Sequence, residues 1–380
     1  MGGAVAAGAG AEAGTGAEAA DDNEWASSRR RVLEMSCGHC CFCCGCCICA
    51  FALLAAGEER NAKDRDEGMA DVPGTSDALA AGPGGCLKAD DILHVLRDRV
   101  ALLPGTRDRY GRPVVIFPSR DSNASPVNSD HVRNALLYLH SVAEEEARQR
   151  GFVVLIDMRT GTSTSTAKIM LKAVEALSDM NGTRIGAVWV LKPREFLDRK
   201  KAQLALGGQL SKGIDIQFLT LEQLHSLVDP GQLPRGDEFR GSLPYDHDEW
   251  LETRLELERW VWRTAEAART LERQRRAMAD SAAPVDLATA QEAIDRHAAL
   301  QRIIVGVPIL QIESEANAVA ERIRQSKGGV DGRQPNPDLN AALPHLTNLV
   351  ASVASRKLYQ LKLFDQDADK ACASHVGTTL

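Results

Sequence analysis

Apolar runs of strand length punctuate the chain before residue 245. Val114–Phe117, Phe152–Ile156 and Ile185–Leu191 are unbroken by charge, and Ile214–Leu219 reads as a fourth strand. Unbroken apolar runs bounded by turns are the signature of strands buried on both faces. Between them the period lengthens to that of amphipathic helices. One covers Val132–Arg150 with Leu136, Leu139 and Val142 inward, and others cover Lys168–Leu177, Glu195–Leu206 and Leu221–Leu227. An opening helix capped by Asp90 or Asp91 carries Ile92, Leu93, Leu96 and Val100 on one face. Strands alternating with helices predict an α/β domain over roughly 90–245, with a mostly parallel sheet covered on both faces.

After Tyr245 the periodicity changes. Trp250, Leu257, Trp260 and Leu271 fall near heptad a and d positions, with Arg and Glu between them. Leu287, Ile294, His297 and Ile304 continue beyond Pro284, Ile309, Ile312, Ala316, Val319 and Ile323 beyond Pro308, and Leu339, Leu343, Leu346, Val350 and Val353 follow. Alternating steps of three and four keep one face of a helix on its partners, so this half predicts an all-α bundle of coiled-coil-like, spectrin-like helices.

The region before Ala89 has a different character. Residues 1–28 are Ala/Gly/Glu-rich and acidic, Arg29–Arg31 follow, and a cysteine block merges into an apolar run from Cys40 to Ala56. Glu58–Gly85 is charged and then rich in Gly, Pro and Ala, the composition of a linker. The whole of 1–87 is expected to be a disordered leader with a Cys-rich block at 37–49, preceding domains at 88–245 and 246–380.

A net charge of −7 provides no basic field for nucleic acid, and none is expected as a partner. Eight of the ten cysteines lie between Cys37 and Cys49, leaving Cys86 and Cys372 for the rest. A disulfide framework needs cysteines spread through the fold it staples, so the folded part reads as a reduced, cytoplasmic protein. There is no Gly-x-x-x-x-Gly-Lys-Ser/Thr loop, no His-Glu-x-x-His and no Gly-x-Ser-x-Gly elbow. No catalytic residue, metal site or cofactor is therefore assigned, and the chain as it stands is not expected to be an enzyme.

Several stretches resemble the Trio/kalirin family of Rho guanine-nucleotide exchange factors. They are Leu103-Pro-Gly-Thr-Arg-Asp-Arg-Tyr-Gly-Arg-Pro113, Arg150-Gly-Phe-Val-Val-Leu-Ile-Asp-Met-Arg159, Lys192-Pro193, Val228-Asp-Pro-Gly-Gln-Leu233 and Gly241-Ser-Leu-Pro-Tyr-Asp-His-Asp-Glu-Trp250. The likeness continues through Asp286–Ile323 and Gln360–Asp369, so it spans about 90–370. It implies a CRAL-TRIO lipid-binding-type domain followed by spectrin repeats, with links to Rho/Rac signalling, cytoskeletal remodelling and axon guidance. Exchange activity in that family resides in Dbl-homology and pleckstrin-homology domains further downstream. A Rho or Rac GTPase is thus an expected partner only through those domains, and the chain, ending inside a repeat-like helix, is expected to be an N-terminal fragment. The alternatives are a stand-alone lipid carrier and a spectrin-repeat scaffold without exchange domains.

Two groups of residues carry candidate chemistry. The basic helix region Lys192, Arg194, Arg199, Lys200 and Lys201 is placed to meet a phosphoinositide or other anionic lipid, against the alternative of a solvated charged face. The spectrin-like helices are expected to dock protein partners. Cys40, Cys41, Cys43, Cys44, Cys46, Cys47 and Cys49 lie beside Phe42, Ile48 and Phe51, the setting of S-acylation. That would attach the protein peripherally to the plasma membrane. Zinc binding through Cys37 and Cys40 lacks a second ligand pair, and a leader with no role or a marginal hydrophobic span are the remaining readings. Acylation predicts hydroxylamine-sensitive fatty-acyl labelling that Cys→Ser replacement across the block abolishes; a chain that takes no label rules it out.

Overall fold

A computed structural model describes residues 87–376 apart from 121–124, 179–183, 194, 207–213, 215, 237, 280–286 and 327–334. The expected disordered leader, with its cysteine block, falls outside the described residues. The four strands form one parallel sheet in the order β1 (Val114–Phe117), β2 (Phe152–Asp157), β3 (Ile185–Leu191) and β4 (Ile216–Leu219). Register runs Val114↔Val153, Val154↔Val188 and Val188↔Ile216.

Sequential order has a consequence. Right-handed crossovers between parallel strands that advance in one direction all fall on the same face. After the opening helix α1 (Leu93–Arg97), the connections α2 (Ser129–Val142), α3 (Glu145–Gln149), α4 (Thr164–Ser178) and α5 (Phe196–Leu206) cross between strands in this way. Val115, Phe117, Val154, Ile156, Val188 and Val190 form one core with residues of α2, α4 and α5. The opposite residues, Val114, Ile116, Val153, Leu155, Ala187, Trp189 and Leu191, pack under α6 (Leu221–Leu227) and the return segment 228–243 through Leu224, Val228, Leu233 and Phe239. Both faces are covered, but the second by one short helix and irregular chain. The expected single helix 132–150 is two, broken at Ala143, whose backbone is extended.

The helical half is an up-down-up bundle. α7 (His247–Ala279) runs one way, α8 (Leu287–Gly306) and α9 (Ile309–Gln325) return as one kinked helix, and α11 (Leu343–Val376) runs forward again after the single turn α10 (Pro337–Asn340). Trp260 Nε1 donates to the Ile312 carbonyl at 2.9 Å, and Arg322 pairs with Glu252 and Glu256 at 2.8 and 2.6 Å. Pro308 ends α8 because it has no N–H to continue the ladder. Lys357 on α11 closes the gap, its Nζ donating to the carbonyls of Val305 and Val307 at 2.8 Å each. A cation at a helix C-terminus satisfies orphan carbonyls and opposes the negative end of the macrodipole. By length and composition Ala288–Gln325 is the one described segment apolar enough to cross a membrane; here it is the middle helix of the bundle. Ile294, expected on the inward face, is 61% exposed. Ala293 is turned further inward instead, four residues before His297.

The change of period at Tyr245 coincides with the start of α7, and the apolar core runs through it without a break. Trp250, Leu251, Leu255, Leu257, Trp260 and Val261 belong to the same cluster as the sheet and its helices. At its centre sits a buried polar group. Tyr138 Oη donates to Glu258 Oε1 at 2.7 Å, Arg254 Nε donates to both at 3.1 Å, and the Ala89 N–H donates to Glu258 Oε2 at 2.8 Å. Burial first, then the Glu258 charge, pushes the Tyr138 hydroxyl well up, which keeps it protonated and donating. A second joint lies at the far end of the bundle's return. Arg107 Nη2 holds Asp338 at 2.6 Å, the Glu144 N–H donates to Asp338 at 2.9 Å, and Asn336 Nδ2 donates to the Pro104 carbonyl at 3.0 Å.

Two outcomes follow. Removing one member of a buried ionic group strands the others, so Glu258→Ala is expected to lower unfolding stability by about 3 kcal/mol in urea titration. A loss under about 1 kcal/mol would show that the network carries little. His140, buried beside Phe152 and Arg148, has its imidazole pushed down to about 4 by desolvation and then by the Arg148 charge. The unfolded chain accepts that proton near pH 6.5 and the folded chain does not, so stability falls as pH drops from about 6.5 towards 4. We expect roughly 2 kcal/mol less at pH 5 than at pH 7, from the 1.36 kcal/mol worth of each pKa unit, and a shallower slope in His140→Leu.

Candidate lipid-facing helix

The basic region identified in the sequence starts at the C-terminal end of β3, where open α/β sheets place their ligand-contacting loops. The Lys192 N–H donates to the Leu219 carbonyl at 3.0 Å, joining the ends of β3 and β4 and leaving its side chain half-buried. Arg194 is outside the described residues. The rest of the group lies on α5. Among its described side chains Ala202 and Leu206, one turn apart, are fully buried, and they meet the core beside α4.

The opposite side of α5 is unlike an ordinary solvated face. Leu197 and Leu204 are 69% and 85% exposed, and Lys200 and Lys201 are exposed between them. Spacings of three, one and three place all four on one stripe of the helix. Lys201 has Asp198 at 3.8 Å, with both side chains more than half exposed, a pair worth little in water. Arg199 is half-buried and falls off the stripe, as does Lys192, just past the end of β3. Of the five basic residues, then, the structure gathers Lys200 and Lys201 on one surface. It adds two leucines that sequence reasoning placed only within a helix. The signal that could have found them is the i, i+3, i+4, i+7 pattern Leu-Lys-Lys-Leu, which a reading that turns every leucine inward passes over.

Other polar groups near the strand ends are committed to structure. Asp157 is buried, and Arg159 grips it with Nε and Nη2 at 2.9 and 2.6 Å while stacking 5.1 Å from the Phe239 ring centroid. Arg159 Nη1 also donates to the Glu238 carbonyl. The pair therefore fastens the end of β2 to the return segment and leaves no reactive group facing solvent. Among the described residues no group of three or more His, Cys, Asp or Glu side chains is arranged to hold a metal ion. The cysteines 40, 41, 43, 44, 46, 47 and 49 lie outside the described residues.

The class to which this architecture points is that of proteins joining a SEC14, or CRAL-TRIO, domain to spectrin-like helices, and known sequences bear this out at low identity. No family model matches the chain. It is 30% identical over 176 residues to "SEC14 domain and spectrin repeat-containing protein 1" of Danio rerio, covering 46% of this chain and 23% of that protein. It is 28% identical over 262 residues to "Pleckstrin homology domain-containing family G member 4B" of Homo sapiens, covering 68% and 15%. It is 24% identical over 274 residues to "Guanine nucleotide exchange factor DBS" of Mus musculus, covering 69% and 23%. The chain is thus related both to SEC14/spectrin-repeat proteins and to guanine-nucleotide exchange factors, and it spans less than a quarter of each of these relatives.

Proposed function

We propose that this chain is the non-catalytic, regulatory and scaffolding part of a Rho-family guanine-nucleotide exchange factor of the Trio/kalirin type. In this reading the α/β unit touches anionic lipid through α5, and the bundle spaces it from further domains and docks protein partners. The role lies in Rho/Rac signalling and cytoskeletal or axon-guidance processes, on the cytoplasmic face of the plasma membrane. The observation that carries the lipid contact is the Leu197–Lys200–Lys201–Leu204 stripe. Two leucines in water are a cost that an interface removes, while two lysines between them meet headgroup phosphates. The exchange-factor assignment is supported by the likeness to a protein whose printed name is "Guanine nucleotide exchange factor DBS".

A second reading, a scaffold without exchange domains, is favoured by the relative whose name mentions only a SEC14 domain and spectrin repeats. Sequencing the complete transcript separates the two. Continuation into Dbl-homology and pleckstrin-homology sequence supports the first, and a stop codon after Leu380 the second.

The lipid contact is tested by sedimentation of the full chain with phosphatidylcholine vesicles, with and without phosphatidylinositol 4,5-bisphosphate. Each lysine near an anionic surface contributes about 1 kcal/mol, so Lys200→Glu with Lys201→Glu is expected to weaken partitioning more than about tenfold. Leu204→Asp should weaken it on both vesicle types. Equal pelleting with and without the anionic lipid ends this reading.

A further inference from the structure

The loop that opens β1 plays no part in that reading, yet it builds a surface of its own. Asp108 accepts the N–H groups of Tyr110 and Arg112 at 2.9 and 2.8 Å and the Arg112 Nε at 2.7 Å. Gly111, at φ +73°, completes the turn in a conformation that other residues resist. The turn is rigid, and it leaves the Tyr110 ring 76% exposed, with the Arg112 guanidinium 5.3 Å from its centroid.

Three glycines then let arginine side chains lie flat on the backbone where the strands begin. A Cβ on Gly186 would stand 2.6 Å from Arg112 Nη1, and one on Gly111 would stand 2.8 Å from Arg150 Nη1. A Cβ on Gly151 would stand 3.3 Å from Arg184 Cγ. These contacts form an unbroken path from Tyr110 through Arg112 to the start of β3, and from Gly111 through Arg150 and Gly151 to Arg184. Exposed Arg109 adjoins them on the turn.

Among the described residues little negative charge is paired with this group. Asp108 is buried and committed to Arg112, and Glu146 reaches Arg150 only at 4.0 Å with both side chains largely exposed. The side chains of Arg109 and Arg184 have no ion pair or hydrogen bond among the described residues. The guanidinium groups of Arg112 and Arg150 and the Arg184 side chain thus gather at this end of the sheet, with exposed Arg109 on the adjoining turn, in a chain with a net charge of −7.

We propose that this N-terminal end of the sheet is a docking surface for an acidic peptide segment of a protein partner. Arginine forks grip carboxylates in two-pronged, planar fashion, and an exposed tyrosine on a rigid turn adds aromatic contact at low entropic cost. Laying the arginine stems on glycine backbone orders them in advance, which lowers the cost of binding. A bilayer is the poorer partner, because Tyr110 is the one exposed large apolar side chain on this patch and interfacial binding needs buried apolar area. The patch lies where the strands begin, whereas Lys192 and the start of α5 lie where β3 ends. The proposal stands independently of the lipid reading.

The test is fluorescence anisotropy of the full chain with a labelled deca-glutamate peptide, with its glutamine counterpart and with phosphatidylserine vesicles as comparisons. Saturable binding of the glutamate peptide that weakens with salt is expected, with the glutamine peptide unbound. Arg109→Glu combined with Arg184→Gln should weaken it about tenfold, and Tyr110→Ala about fivefold, with unchanged thermal unfolding. Lys200→Glu with Lys201→Glu should leave it unaltered. The proposal is overturned by absent binding or by binding indifferent to the arginine changes. It is equally overturned if the arginine changes abolish vesicle binding while the peptide does not bind.

Discussion

The structure hangs on a buried carboxylate. Glu258 accepts hydrogen bonds from Tyr138 on α2, from Arg254 on its own helix and from the backbone of Ala89, all within the core. A charge out of water is tolerated only when its partners are in place, so these three elements hold together or not at all. Trp250 and Trp260 are buried in the same cluster of the core. His247, at the first position of α7, is fixed by Tyr245 at 2.9 Å and by the Leu96 carbonyl at 2.7 Å. The first half of α7 is therefore as much a part of the α/β unit as of the bundle.

That arrangement makes the bundle an extension of the sheet domain, reinforced where Arg107 meets Asp338 and Asn336 meets Pro104. Two joints at different places resist rotation better than one. Among the described residues the distal part of the bundle has a separate core, around Leu271, Ile304, Val353 and Phe364, and a kink that Lys357 closes.

Seen from the sheet, the two exposed surfaces have opposite design. The α5 stripe is apolar and lysine-bearing on the exposed side of a helix. The β1-turn patch is arginine-bearing and clamped by Asp108 and by glycine backbone. Lysines flanked by exposed leucines suit a fluid, adaptable interface, and arginines on a rigid frame suit a partner of defined geometry.

Periodicity alone located the strands, because a run such as Val114–Phe117 or Ile185–Leu191 has no polar position with which to face water, and the structure keeps both runs at those bounds. It also marked the change to helices at Tyr245. Other features were beyond its reach. Helix 132–150 broke because the Glu144 N–H is taken by Asp338, nearly two hundred residues away. Ile294 turned outward because the inward phase of α8 passes through Ala293, a choice that neighbouring helices make. Of the candidate site, the lysines were legible as charges, but the exposure of Leu197 and Leu204 was not, since a leucine's place depends on what covers it. The arginine patch is the extreme case: residues 112, 150 and 184 come together only when parallel pairing aligns the starts of three strands. Local pattern, set by each segment's need to bury its apolar side, determined the elements; which elements share a surface was decided by long-range pairing, which satisfies groups that no segment can satisfy alone.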